Sequence, residues 1–138
     1  MLDENEIIEA VLRYLEGKGW NITQALNTTE KGVDIIAHNN EGDTILIEAK
    51  GATSSREGSA RFGKPYLRSQ IFDRVSKGLY ATVCLRGEHK GNKKIKVFLA
   101  LPDAPVFREF VSKIEESLVT LDIKIFWVEE LGMAKEGP

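Results

Sequence analysis

The sequence predicts an α/β fold with element order αβββαβαβ. Its core is αβββαβ, a mixed central sheet flanked by helices, and a C-terminal helix and strand extend it. Three observations carry this expectation. Apolar residues recur at helical spacing over 4–16, 66–86 and 106–121. Short runs of strand-favouring residues bounded by turn-prone clusters lie between those segments. One of the runs, Thr44-Ile45-Leu46-Ile47, is apolar on both faces, as a central strand must be. With 138 residues, 42% of them apolar, the chain suits a single domain over 1–138 and leaves no room for a second.

The first helix is read from Ile7, Ile8, Val11, Leu12, Tyr14 and Leu15 on one side of a 3.6-residue repeat, with Asp3 or Asn5 as cap and Gly17 and Gly19 ending it. Trp20 to Thr28 alternates loosely. Val33 to His38 and Asp43 to Lys50 flank the turn-prone Asn39-Asn40-Glu41-Gly42, so these three runs predict a meander. Residues 51–65 carry glycines, Pro65 and no apolar period, which predicts a long loop, and long loops in compact domains are often functional. From Tyr66 to Arg86 one long helix is expected, although Gly78 weakens it by about 1 kcal/mol relative to Ala. Lys94 to Leu101 reads as a strand, and Pro102 to Pro105 opens one helix from Val106 to Leu121. Ile123 to Val128 closes as a strand. The tail over 128–138, aperiodic from Glu129 on, is expected to fray.

No apolar run approaches bilayer length and the first residues are acidic where a signal peptide is basic, so the expectation is a cytoplasmic protein with no membrane partner. The single cysteine, Cys84, excludes an internal disulfide and a thiolate zinc site, and its place near the apolar side of a helix predicts a core position. His38 and His89 lack spaced partners for a metal or a triad. Any metal must then be held by oxygen. Net charge is −2 but segregated. Residues 1–50 carry four Lys/Arg against ten Asp/Glu, 51–102 carry eleven against three, and 103–138 carry four against eight. The basic middle holds Arg56, Arg61, Lys64 and Arg68, which are placed to neutralise backbone phosphates. A second cluster, Lys90, Lys93, Lys94 and Lys96, reads as a solvated turn and strand edge.

The chemistry lies in Gly32-Val33-Asp34-Ile35-Ile36 and, fourteen residues after Asp34, Glu48-Ala49-Lys50. On adjacent strands these bring two carboxylates and an ammonium to one strand end. Glu48 and Lys50 share a strand face, while Ala49 presents its backbone. Desolvated carboxylates need a cation, because an unpaired buried charge costs several kcal/mol. One candidate for that cation is Lys50 in a buried salt bridge. The other is a divalent metal ion, with Asp34, Glu48 and the Ala49 carbonyl as ligands for Mg²⁺ or Mn²⁺ and Lys50 stabilising developing negative charge.

An acidic helix, a Gly-apolar-Asp-apolar strand, a turn, and an apolar strand ending Glu-x-Lys-Gly follow in that order, and over residues 5–101 the chain resembles the PD-(D/E)XK nuclease superfamily, which is restriction-endonuclease-like. Val33 stands where the family name has Pro. The resemblance implies a Mg²⁺- or Mn²⁺-dependent DNA endonuclease with Asp34, Glu48 and Lys50 as its active site. It also implies an acid from the first helix, Glu9 or its competitor Glu6, as a further catalytic and metal-binding residue. Gln70 is similar to a polar residue that some branches place near the metal or phosphate. The alternative is a catalytically silent nuclease-like module that binds nucleic acid or regulates a partner. With no dedicated specificity domain, a homodimer or a partner protein supplying specificity is expected.

Overall fold

The computed structural model describes residues 1–27, 32–54 and 64–137. Among them the chain forms α1 (Glu4–Gly17), β1 (Asn21–Ala25), β2 (Ile35–His38), β3 (Thr44–Ala49), α2 (Arg68–Glu88), β4 (Ile95–Pro102), α3 (Pro105–Ser112), α4 (Glu115–Leu121), β5 (Ile123–Val128) and β6 (Ala134–Gly137). The strands lie side by side in sequence order in one mixed sheet. β1, β2 and β3 form an antiparallel meander, β4 and β5 add in parallel to β3, and β6 closes the far edge antiparallel. The expected α/β architecture with its helix-flanked mixed sheet is the observed one.

Strand alternation divides the core into two layers. Ile45, Ile47 and Ala49 of β3, with Phe98 and Ala100 of β4, pack beneath Ile7, Ile8, Val11 and Leu15 of α1. Leu46 of β3 and Val97, Leu99 and Leu101 of β4 face the other way, against Ile71, Val75 and Leu85 of α2, Phe107 and Val111 of α3, and Leu118 of α4. Period 2 then puts Glu48, two residues after Leu46, on the α2 side at the end of β3. α1 starts where the chain caps it. The Asp3 carboxylate accepts from the Glu6 N–H at 2.9 Å, and the Glu6 side chain accepts from the Asp3 N–H at 3.1 Å, a reciprocal box.

Three expectations are corrected. The tail does not fray: β6 pairs with β5 from Val128↔Ala134 to Ile125↔Gly137, and the Tyr14 hydroxyl of α1 donates to Glu136 at 2.8 Å. Its stability comes from backbone pairing, which leaves no apolar period to read. The helix expected over 106–121 is two helices, because the chain tightens at Ile114, whose N–H bonds to the Val111 carbonyl three residues back at 3.0 Å. Cys84 is exposed, while Thr82 and Leu85 on either side of it take the buried face of α2. Among the described residues no helix is long and apolar enough to cross a membrane.

Candidate active site

The meander ends where its apolar pattern ends. β2 and β3 pair Ile35 with Ile47, so continuing the register by one residue sets Asp34 opposite Glu48. Their half-buried carboxyl groups hydrogen-bond to each other. Asp34 Oδ2 also accepts from the Ala49 N–H at 2.8 Å, so Ala49 meets the site through its backbone while its side chain is buried on the α1 side. Lys50 follows, its own N–H bonded to the Ala100 carbonyl at 3.0 Å, which extends the β3–β4 pairing one residue past the strand.

Burial governs the electrostatics. It pushes the Glu48 carboxyl up to about 7, with the neighbouring Asp34 charge adding to the rise and Lys50 opposing it. Burial likewise raises Asp34, against the Ala49 N–H and Lys50, which lower it. The two facing carboxyls therefore both resist ionisation.

Glu4 of α1 completes the cluster. Its Oε1 lies 3.9 Å from Lys50 Nζ and 3.9 Å from a terminal nitrogen of Arg74 on α2, and its side chain is 12% exposed. Burial, then the Asp34 charge, raise its carboxyl, while Lys50 and Arg74 lower it. Two glycines permit this convergence. A Cβ on Gly51 would lie 2.5 Å from the Glu4 backbone nitrogen, so only glycine lets the start of α1 abut the end of β3. A Cβ on Gly78 would lie 2.7 Å from Leu99 Cδ1 and 3.1 Å from Lys50 Cγ, so its absence lets the Lys50 stem lie along α2.

The structure brings Asp34, Glu48, Ala49 and Lys50 together and leaves others aside. Glu9, expected as the first-helix acid, is exposed on α1 away from its buried face, and Glu6 is spent on the helix cap. The acid of α1 that reaches the cluster is Glu4, because the helix meets the site with its first turn. The glycine directly after Glu48-Ala49-Lys50 was the available signal for that approach. Arg68 is locked to Glu109 by two hydrogen bonds, at 3.0 and 2.5 Å, and covers the Phe110 ring, so its charge is largely committed. Gln70 accepts from the Leu67 N–H at 2.7 Å and caps α2. Lys64 is exposed, and Arg56 and Arg61 lie outside the described residues. Lys93, Lys94 and Lys96 fall at the amino end of β4, beside Thr44 and therefore at the end of the sheet opposite the site.

Among the described residues no three His, Cys, Asp or Glu side chains meet closely enough to hold a metal ion by themselves. The donor set nevertheless fits one. Mg²⁺ is usually held by one or two carboxylates with waters and substrate phosphates, and Asp34 and Glu48 are two facing oxygen donors whose charged forms a divalent cation would favour.

The fold and cluster together define a mixed α/β domain with a carboxylate–lysine site at one end of its sheet. No family model matches the chain, and no curated protein matches it. Among solved structures it is similar to an FdxN element excision controlling factor protein from Anabaena variabilis, at 19% identity and a TM-score of 0.59, with 95% of this chain and 96% of that one covered. That likeness establishes a shared fold. A second similar structure is SfsA of Pyrococcus furiosus in complex with Ca²⁺, at 16% identity and a TM-score of 0.38, covering 96% of this chain and 58% of that one.

Proposed function

We propose that the chain is a metal-dependent nuclease of the PD-(D/E)XK superfamily that hydrolyses phosphodiester bonds in DNA. The observation that carries this reading is the Asp34–Glu48 pair, two half-buried carboxyls that hydrogen-bond to each other at neighbouring strand ends with the Lys50 ammonium alongside. A Mg²⁺ or Mn²⁺ ion bound there supplies Lewis-acid polarisation of the phosphate and a water of lowered pKa. Asp34 is fixed in place by the Ala49 N–H, so one ligand oxygen is oriented before anything binds. Glu48, whose ionisation burial opposes, would be held in its charged form by a cation bound there. Lys50, held along α2 by the gap at Gly78, puts positive charge beside the phosphate as negative charge develops on it. Glu4 steadies that ammonium at a distance too long to neutralise it by a hydrogen bond.

Purified protein is expected to nick or cut plasmid or branched DNA when Mg²⁺ or Mn²⁺ is added, and Asp34→Asn and Lys50→Ala are each expected to abolish this. Cleavage surviving both substitutions overturns the site. A second reading, a nuclease-like module that regulates without cutting, is favoured by the name of the Anabaena neighbour, a controlling factor in element excision. Calorimetric titration with Mn²⁺ separates the two. Heat of binding that disappears in Asp34→Asn supports the nuclease, and no binding near neutral pH supports the regulator.

A further inference from the structure

We propose that Arg74 grips a backbone phosphate of the bound nucleic acid, an assignment that rests on the nuclease reading above. Of the arginines among the described residues, Arg13 donates to the Gly132 carbonyl, Arg68 to Glu109, Arg86 to the Ile95, His89 and Asn92 carbonyls, and Arg108 to Asp103. Each of those guanidinium groups is anchored by hydrogen bonds. Arg74 donates none among the described residues, and its Nε is buried without a partner.

What holds Arg74 is weaker. Its guanidinium lies 5.7 Å from the Tyr66 ring centroid and 3.9 Å from Glu4 Oε1, beyond the roughly 3.2 Å limit of an ordinary N–H···O bond. Lys50 stands at the same 3.9 Å from the same oxygen, so one carboxylate is divided between two cations. A planar fork that donates no hydrogen bond among the described residues matches the paired oxygens of a phosphate better than any single carbonyl. A buried donor left unsatisfied costs free energy, and that cost is recovered if the group turns onto an incoming acceptor.

Placement supports the assignment. Arg74 lies one helical turn before Gly78, the residue whose bare backbone gives Lys50 its path along α2. Lys50 and Arg74 therefore share one side of α2, with Glu4 between them. Lys50 serves the phosphate being cut, and Arg74 takes a neighbouring phosphate. The side chain is 30% exposed, so solvent, and therefore substrate, can reach it.

The test is equilibrium binding of a fluorescently labelled DNA duplex in EDTA over a range of salt, for wild type, Arg74→Ala, Arg74→Gln and Arg74→Lys, each with and without Glu4→Gln. Loss of one phosphate contact is expected to weaken binding uniformly across sequences and to lower the slope of log affinity against log salt by about one. Arg74→Lys should keep the slope and lose part of the affinity, since a point charge replaces the fork. In the Glu4→Gln background the loss on removing Arg74 should persist, because its partner there is the DNA. Arg74→Gln, which preserves bulk, reports the slope if Arg74→Ala does not fold. An unchanged slope in protein that binds and cuts DNA overturns the assignment alone. So does an effect that vanishes with Glu4→Gln, for Arg74 then acts only by holding Glu4. Wild type that neither binds nor cuts DNA overturns the nuclease reading and this assignment with it.

Discussion

Gly78→Ala is the perturbation whose outcome separates helix propensity from site construction. In an exposed helix interior this substitution stabilises by about 1 kcal/mol. Here the new methyl would lie 2.7 Å from Leu99 Cδ1 and 3.1 Å from Lys50 Cγ, where ordinary contacts are 3.4 to 4 Å. Leu99 is 1% exposed and packed in the α2 layer, so it has little room to withdraw. Overpacking of this kind costs about 1–3 kcal/mol, which cancels or exceeds the propensity gain of about 1 kcal/mol and leaves a net loss of about 0–2 kcal/mol. The Lys50 stem is the softer neighbour and moves by a few tenths of an ångström. That shift carries its ammonium out of line, and misplacement approaching 1 Å can cost about a hundredfold in rate. Urea unfolding and plasmid cleavage with Mg²⁺, measured together, read both effects. Gly87→Ala on the same helix is the control, since its Cβ would meet nothing within 4 Å. It should gain up to about 1 kcal/mol and cleave as wild type. A Gly78→Ala protein that gains about 1 kcal/mol and cleaves normally refutes the packing argument.

Gly51→Ala puts a methyl 2.5 and 2.6 Å from backbone atoms of Glu4 and Asp3, which cannot rotate aside, so a loss of about 2–3 kcal/mol is expected in the denaturant midpoint together with loss of cleavage. In EDTA the folded protein binds more protons than the unfolded chain between the ordinary Glu value of 4.5 and the raised Glu48 value of about 7. Its thermal midpoint should therefore fall as pH rises through that window, and added Mg²⁺ should restore it more at pH about 8 than at about 6, where protons compete for the carboxylates. A flat profile in EDTA would show that Glu48 is not desolvated. Asp34→Asn removes the charge that helps raise Glu48, so it should flatten the same profile. Glu4→Gln is expected to change metal-dependent cleavage, while Glu9→Gln changes neither cleavage nor stability by more than about 0.5 kcal/mol, as befits an exposed residue on α1. Parallel rate and melting measurements on the pair check this.

The parts of the site legible in the sequence are those set by strand alternation and local register. Asp34 opposite Glu48, Glu48 and Lys50 on one face, and Ala49 turned inward all follow from period 2 and a four-residue turn. Glu4 was not legible in the same way, because which turn of α1 meets the sheet depends on how closely two distant backbones approach at Gly51. Helical periodicity finds the buried face of α1 but carries no information about its position along the axis. The same holds for Arg74, whose role depends on an acid seventy residues away in the chain. β6 escaped because a short polar edge strand is held by its ladder, and Cys84 because the buried face of a long helix drifts around its axis. Arg68 had the right charge and neighbourhood, and only the fold shows that Glu109 occupies its fork.

The remaining contest is between a metal site and a structural salt bridge, and the position of Lys50 bears on it. A salt bridge built to hold the strand ends together would seat the ammonium between Asp34 and Glu48 and depress both carboxyls. In the structure the two carboxyls hydrogen-bond to each other, both are raised by burial, and Lys50 pairs with Glu4 at 3.9 Å. A lysine set beside two partly desolvated carboxyls contributes less to stability than the same lysine seated between them would. Two apolar layers, one on each face of β3 and β4, absorb that cost. Half-buried carboxyls held against their ionisation contribute little to folding stability. The proposed metal site accounts for this arrangement of Asp34, Glu48 and Lys50 where a stabilising salt bridge does not.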